Sequence, residues 1–279
     1  MDLPPTFEFS QGSLQDYSDC RRRFLLKYLK HTAWPAVHAE PALENERHIR
    51  RGERFHRLAQ QFLSGVPSDR LAEMAAADPD ENLALWWRSF SAEIPAQLTG
   101  TRFIELALFA PVNNLRLAAR YDLILAAPDA KFVIYDWKTS LSRPKRTWLA
   151  NRLQTRVYPY LLVLAGAQLN QGRPILPDQV SMLYWFAAFP HQPERFVYST
   201  SQFEKDRVFL RKVISEIHSL PEAEFQLTSE LDRCQYCVYR SLCDRGIAAG
   251  PLGDIASESE TEEDIGLNLD LDQVSELAF

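Results

Sequence analysis

Three β-like runs in close succession, Phe103 to Phe109, Leu115 to Ala126 and Lys131 to Thr139, constrain this chain more than any other feature. The turn signals Pro111-Val112-Asn113-Asn114 and Ala127-Pro128-Asp129-Ala130 separate them, so neighbouring strands are expected to pair locally. Helical patterns lie on either side. Residues 13 to 30 read as one helix that starts at Ser13 and carries Cys20, with further helices over about 43 to 63 and 80 to 94. After the strands come a helix over 147 to 165, strands over 179 to 189 and 195 to 198, and a helix over 201 to 220. That order predicts an α/β fold: a mixed central sheet flanked by helices, with a helical annex built from the two ends of the chain. The expected organisation is one body over 1–247, made of N-terminal helices 9–95, an α/β core 100–200 and a C-terminal helical and cysteine segment 201–247. A tail of disordered composition, 248–279, follows.

With 46% hydrophobic and 24% charged residues, the chain has material for a core, which excludes the disordered and collagen-like classes. Its net charge of -6 divides unevenly, because nine of the 37 acids lie beyond Arg245, where no Lys or Arg occurs. The remainder holds 31 bases against 28 acids, or +3, so the acidic total does not exclude a nucleic-acid partner. Met1 to Ser10 lacks a basic start followed by an apolar run, and the apolar stretch Met182 to Phe189 falls short of the ~20 residues of a spanning helix. A cytoplasmic protein with no membrane association is the expectation.

Asp136 and Lys138 are two apart on a strand, so both emerge on one face, and Asp122 on the preceding strand can lie beside them. Converging carboxylates suit a hard cation such as Mg2+ or Mn2+, and a lysine beside them can neutralise charge on a phosphoryl oxygen. The same residues also fit a strand-edge ion pair next to a solvated acid. Farther on, Gln154 and Tyr158 share a helix face, either a polar substrate contact or plain surface. Arg143, Lys145, Arg146, Arg152 and Arg156 are basic residues around that helix, suited to a DNA backbone and equally to a solvated loop. On the 43 to 63 helix, Arg47, Arg50, Arg51, Arg54 and Arg57 fall on one face, and Gly52, Phe55, His56, Ala59 and Phe62 on the other. Cys234, Cys237 and Cys243 form a C-x2-C-x5-C group; with Cys20 they offer four thiolates, fit for Zn2+ or a 4Fe-4S cluster alike. No G-x-x-x-x-G-K-[ST] loop occurs among the ten glycines, so a DNA motor would be a separate partner.

Taken in order, Ser13, Tyr17 and Cys20, then Gly52 and His56, Asp122, Asp136-Trp137-Lys138, Gln154-Thr155-Arg156-Val157-Tyr158 and the three late cysteines resemble the PD-(D/E)XK nuclease superfamily. The likeness is to its RecB-like branch with an iron-sulfur cluster, which includes the exonucleases of CRISPR adaptation. The resemblance implies His56, Asp122 and Asp136 as metal ligands with the carbonyl of Trp137, Lys138 as the catalytic lysine, and Gln154 and Tyr158 as substrate and site support. It implies that Cys20, Cys234, Cys237 and Cys243 hold a 4Fe-4S cluster, with zinc as the alternative. Glu105 is a weaker candidate for an auxiliary acid. The implied activity is Mg2+- or Mn2+-dependent hydrolysis of DNA, as an exonuclease on single-stranded ends in repair or CRISPR adaptation, beside a separate helicase or DNA-processing protein. The alternative is an inactive DNA-end or partner-binding module of the same fold. Ala119 stands where relatives often have glycine, and Arg21 follows Cys20 where proline is frequent, departures read as tuning.

Overall fold

A computed structural model describes residues 3–4, 7–33, 42–235 and 237–246, with backbone alone over 42–46; the acidic segment 248–279 lies outside the described residues. The three runs form strands β2 (Thr101–Val112), β3 (Leu115–Ala126) and β4 (Phe132–Lys138). Asn113 and Asn114 close the β2–β3 hairpin with φ of 52° and 63°, the paired left-handed conformation that a two-residue turn needs to match strand twist. β4 pairs in parallel with β5 (Val180–Phe186), which pairs antiparallel with β6 (Glu194–Val197). A sixth strand, β1 (Glu8–Phe9), adds in parallel to β3; two residues are too few for any periodicity to announce.

β2 pairs along the whole of β3, so β1 and β4 must share the other edge of β3, β1 at Arg116 and Leu117 and β4 from Leu123 onward. The β3–β4 ladder ends at Leu123 opposite Tyr135, whereas β4 stays paired to β5 as far as Lys138 opposite Phe186. The sheet therefore forks at Asp122 and Asp136, the first positions beyond the ladder.

Helices cover both faces, as expected for a mixed sheet with apolar residues on both sides. On one, α3 (Ala42–Leu63), α4 (Ser68–Ala76) and α5 (Glu81–Glu93) pack Phe55, Ala59, Trp86 and Phe90 against Leu123, Tyr135, Trp137 and Trp185. On the other, Phe24, Val157, Leu161 and Ile214 meet Leu117, Tyr121, Ile134, Met182 and Phe186. Phe90 and Trp137 meet edge to face at 5.0 Å between centroids. Each such side chain contributes about 1.5–3 kcal/mol by leaving water.

The in–out alternation inverts at one point in the hairpin. Ile104 packs under α3 and α5, whereas Leu106 and Leu108 pack on the opposite face; opposite them, Leu123 and Leu125 share the first core, and Tyr121 and Ala119 the second. Two residues of the same parity on one strand thus face opposite ways across Glu105 and Asp122, which occupy the point of inversion.

Two predicted helices are each broken. Residues 13 to 30 form α1 (Gln11–Asp19), then α2 (Arg21–Phe24) and a π turn Leu25–Leu29, because Cys20 is extended with φ -160° and ψ 109°. The N-cap is Ser10 in place of Ser13: Ser13 N donates to Ser10 Oγ (3.1 Å) and Ser10 N to Ser13 Oγ (2.9 Å). The 147 to 165 helix divides into α6 (Arg146–Asn151) and α7 (Leu153–Ala165) at Arg152, where ψ is 141°. α8 (Thr200–Ser219) follows β6, and no described helix is long and apolar enough to cross a membrane. Beyond α8 the chain returns to the N-terminal segment: Arg22 N donates to the Gln226 carbonyl (3.1 Å), Tyr239 Oη donates to the Thr32 carbonyl (3.1 Å), and Arg233 pairs with Asp19 (3.1 Å).

Candidate active site

The fork collects side chains from both faces. From α3, His56 Nδ1 stands 3.3 Å from Asp122 Oδ1, and the second oxygen of Asp122 accepts the Trp137 backbone N–H at 2.8 Å. That N–H has lost its place in the ladder, so the Asp122 carboxylate replaces a missing strand partner. From α7, Gln154 Nε2 donates to Asp136 Oδ1 at 2.6 Å, while Lys138 Nζ lies 3.0 Å from Asp136 Oδ2. Two residues overlooked in the sequence complete this side. Tyr184, which registers with Asp136 across the β4–β5 pair, shares a 2.7 Å hydrogen bond with Thr155 Oγ1, and Lys138 Nζ lies 5.7 Å from its ring centroid. The signal for Tyr184 was its alternation in β5, legible only once the β4–β5 register is known.

Gly52, one turn before His56, explains how α3 comes so near. A Cβ built there would stand 2.9 Å from Thr139 Oγ1, so the absence of a side chain lets the helix rest on the end of β4.

Burial works to raise the Asp122 carboxyl, but the His56 charge and hydrogen bond, the Trp137 N–H and the Lys138 ammonium outweigh it and hold the group below the ordinary carboxylate value. Asp136 is 4% exposed and both of its oxygens face positive or donating groups. The donor set, one imidazole nitrogen and two carboxylates, suits a hard cation. His56 Nδ1 and Asp122 Oδ1 are paired directly with each other at 3.3 Å. Among the described residues, no group of three or more His, Cys, Asp or Glu is already arranged as a metal site. Lys138 and Gln154 hold Asp136, so its oxygens satisfy protein partners instead.

Tyr158 is buried, its ring 4.8 Å from that of Tyr121, whose hydroxyl donates to the Tyr158 carbonyl at 2.9 Å. Trp137 places its indole in the α3–α5 core. Of the basic residues, Arg143 and Arg146 both pair with Glu194 of β6, Arg146 at 2.6 Å, and Arg156 pairs at 2.6 Å with the fully buried Asp206. The Arg152 guanidinium lies 4.8 Å from the Trp148 ring centroid, and Lys145 is exposed. The α3 arginines divide likewise, Arg51 pairing with Asp80 and Arg54 with Asp78, while Arg47, Arg50 and Arg57 are exposed.

Cys20 and the late cysteines are all free and partly buried. Burial raises the Cys234, Cys237 and Cys243 thiols, and the charge of Cys20 adds to the rise of each.

The profile of the PD-(D/E)XK nuclease superfamily matches residues 8–244, and the chain belongs to that superfamily. The central mixed sheet with helices on both faces agrees with its restriction-endonuclease-like fold. Among solved structures, the protein SSO0001 is 12% identical over 85% of each chain, with a TM-score of 0.40. A Eubacterium rectale protein described as a "Putative exonuclease" is 10% identical over 78% of this chain and 85% of its own, with a TM-score of 0.44. No curated protein matches at a significant level.

Proposed function

We propose that this protein is a Mg2+- or Mn2+-dependent DNA nuclease that hydrolyses phosphodiester bonds, working as an exonuclease on single-stranded ends. The observation that carries the reading is the meeting at one fork of His56 on Asp122 and of Gln154 and Lys138 on Asp136. His56, Asp122, Asp136 and the Trp137 carbonyl are the groups that hold the cation. When bound, the ion supplies Lewis acidity and a water of lowered pKa. Lys138 releases Asp136 and balances the negative charge that grows on the phosphoryl oxygens as water adds and the P–O bond breaks. Gln154 keeps Asp136 in one orientation, Tyr158 anchors α7 beneath it, and Lys145 with the arginines around α6 and α7 faces the DNA backbone.

Cleavage of labelled single-stranded DNA with Mn2+ tests the reading. Wild type cuts and Asp136→Ala and Lys138→Ala lose the activity by at least a hundredfold; equal rates in all three would leave a DNA-end or partner-binding module of the same fold. The RecB-like branch enters through the cysteines: Cys20, Cys234, Cys237 and Cys243 are assigned to a 4Fe-4S cluster that joins the two ends of the body. The raised Cys234, Cys237 and Cys243 thiols must lose protons to ligate it, so assembly is linked to pH. Anaerobically purified protein would then carry iron, sulfide and broad visible absorbance. Colourless protein with stoichiometric zinc would overturn the assignment.

A further inference from the structure

Glu105 gathers several locally unfavourable features in one residue. It lies within β2 with φ of 51°, a left-handed conformation that costs a side chain bearing Cβ and that glycine would adopt freely. It faces Asp122 across the hairpin, where pairing of Ile104 with Leu123 and of Leu106 with Tyr121 brackets the two acids at the point of inversion. Its side chain is 17% exposed and its carboxylate is held by Arg120 Nε at 2.8 Å. Burial and the Asp122 charge push its carboxyl above the ordinary value, while the Arg120 and His56 charges pull it back, which places it within electrostatic reach of both Asp122 and His56. A strand inversion alone requires no acid here. Strain, burial and like charge concentrated opposite a proposed ligand are the kind of local conflict that a structure retains for function.

We infer that Glu105 is a positioning residue of the active site, whose carboxylate, oriented by Arg120, sets the negative charge around His56 and Asp122 and so governs how tightly that pair holds a divalent cation. The inference rests on the nuclease reading and adds to it a residue that need not touch the ion. Its carboxylate attracts the ion and the imidazole together, and the inverted backbone turns the side chain toward the fork in place of the core. Arg120 limits the repulsion between the two acids while the cation is away.

Two substitutions separate charge from backbone strain. Glu105→Gln keeps the size and the strain and removes the charge; Glu105→Gly removes both. The probe is Mn2+ alone, titrated calorimetrically into the full chain without DNA, alongside thermal melting and the Mn2+ concentration that half-saturates cleavage. Both variants are expected to bind Mn2+ at least about tenfold more weakly, the loss typical when a supporting partner of a metal ligand is removed. The half-saturating concentration shifts by a similar factor. Glu105→Gly melts no lower than wild type, since it relieves the left-handed position, so its weaker binding cannot be put down to unfolding. If Glu105→Gln, or Glu105→Gly should the first variant fail to fold, binds Mn2+ as tightly as wild type while wild type cuts DNA, this inference falls and the nuclease reading stands. Wild type that neither binds Mn2+ nor cuts would overturn both.

Discussion

Gly52→Ala tests how the site is assembled, because two known effects of opposite sign meet at this position. Within a helix, alanine is favoured over glycine by about 1 kcal/mol. Against that, the new Cβ would stand 2.9 Å from Thr139 Oγ1 on a residue that is 3% exposed and stiff at χ1 because it is β-branched. Overpacking of this kind costs roughly 1–3 kcal/mol. The sum is a loss of up to about 2 kcal/mol, or a melting temperature lower by up to about 8 °C at ~2–4 °C per kcal/mol for a domain this large. The same push moves α3 away from β4 and takes His56, one turn on, from Asp122, so Mn2+-dependent cleavage falls at least about tenfold. The sign reverses in a Thr139→Ala background. The atom met at 2.9 Å is then absent and the next, Thr139 Cβ, is at an ordinary 3.9 Å, so Gly52→Ala becomes stabilising by about 1 kcal/mol. Urea unfolding of the four proteins in this cycle measures the coupling. If Gly52→Ala is stabilising with Thr139 in place and cleavage is unchanged, Thr139 yields freely and glycine has no part in setting the site.

Further expectations concern the charges that surround the fork. Asp206 accepts from Arg156 (2.6 Å), Gln202 (2.9 Å) and Tyr198 (3.0 Å) in complete burial, so Asp206→Ala strands these donors and costs about 3–5 kcal/mol, read as a shift of the urea midpoint. An unfolding free energy within about 0.5 kcal/mol of wild type would free Arg156 for a purely DNA-facing role. The folded-state pKa of Asp122 is depressed, so its contribution to stability is present above the unfolded value of about 3.9 and is lost as pH falls through the lower folded value. Asp122→Asn should therefore lose less stability than wild type on acidification from about pH 5 to pH 2; parallel acid limbs would contradict the assigned direction. Gln154→Ala removes the 2.6 Å donor from a buried Asp136 oxygen and should lower cleavage by about 10–100-fold at saturating Mn2+, with an unchanged rate excluding an orienting role.

The central meander was legible because its strands are long, alternate in period two and are divided by turn residues, of which Asn113 and Asn114 do take the left-handed conformation. Asp122, Asp136 and Lys138 were legible as a strand-borne set, and His56 through its spacing from Gly52 in the family's pattern. The fork that makes them adjacent was not, since it arises from where the β3–β4 ladder stops, a matter of pairing between strands. The breaks at Cys20 and Arg152 escaped because apolar spacing continues through both, and the extended backbone there answers to tertiary contacts. The basic residues around α6 and α7 were legible as charge, but the acids that hold three of these arginines come from distant elements: Glu194 for Arg143 and Arg146, and Asp206 for Arg156. Sequence proximity cannot show which positive charges are already partnered from within.

The fork draws His56 from the helices of one face and Gln154 from the helix of the other, with the acids on strands between them. A chain emerging during synthesis, or a fragment cut between Arg57 and Tyr121 or between Thr139 and Leu153, has the acids without one of the groups that orient them. Cutting power in such a protein would belong only to the completed double-sided sandwich, and unfinished or clipped copies would be harmless to DNA without any separate inhibitor.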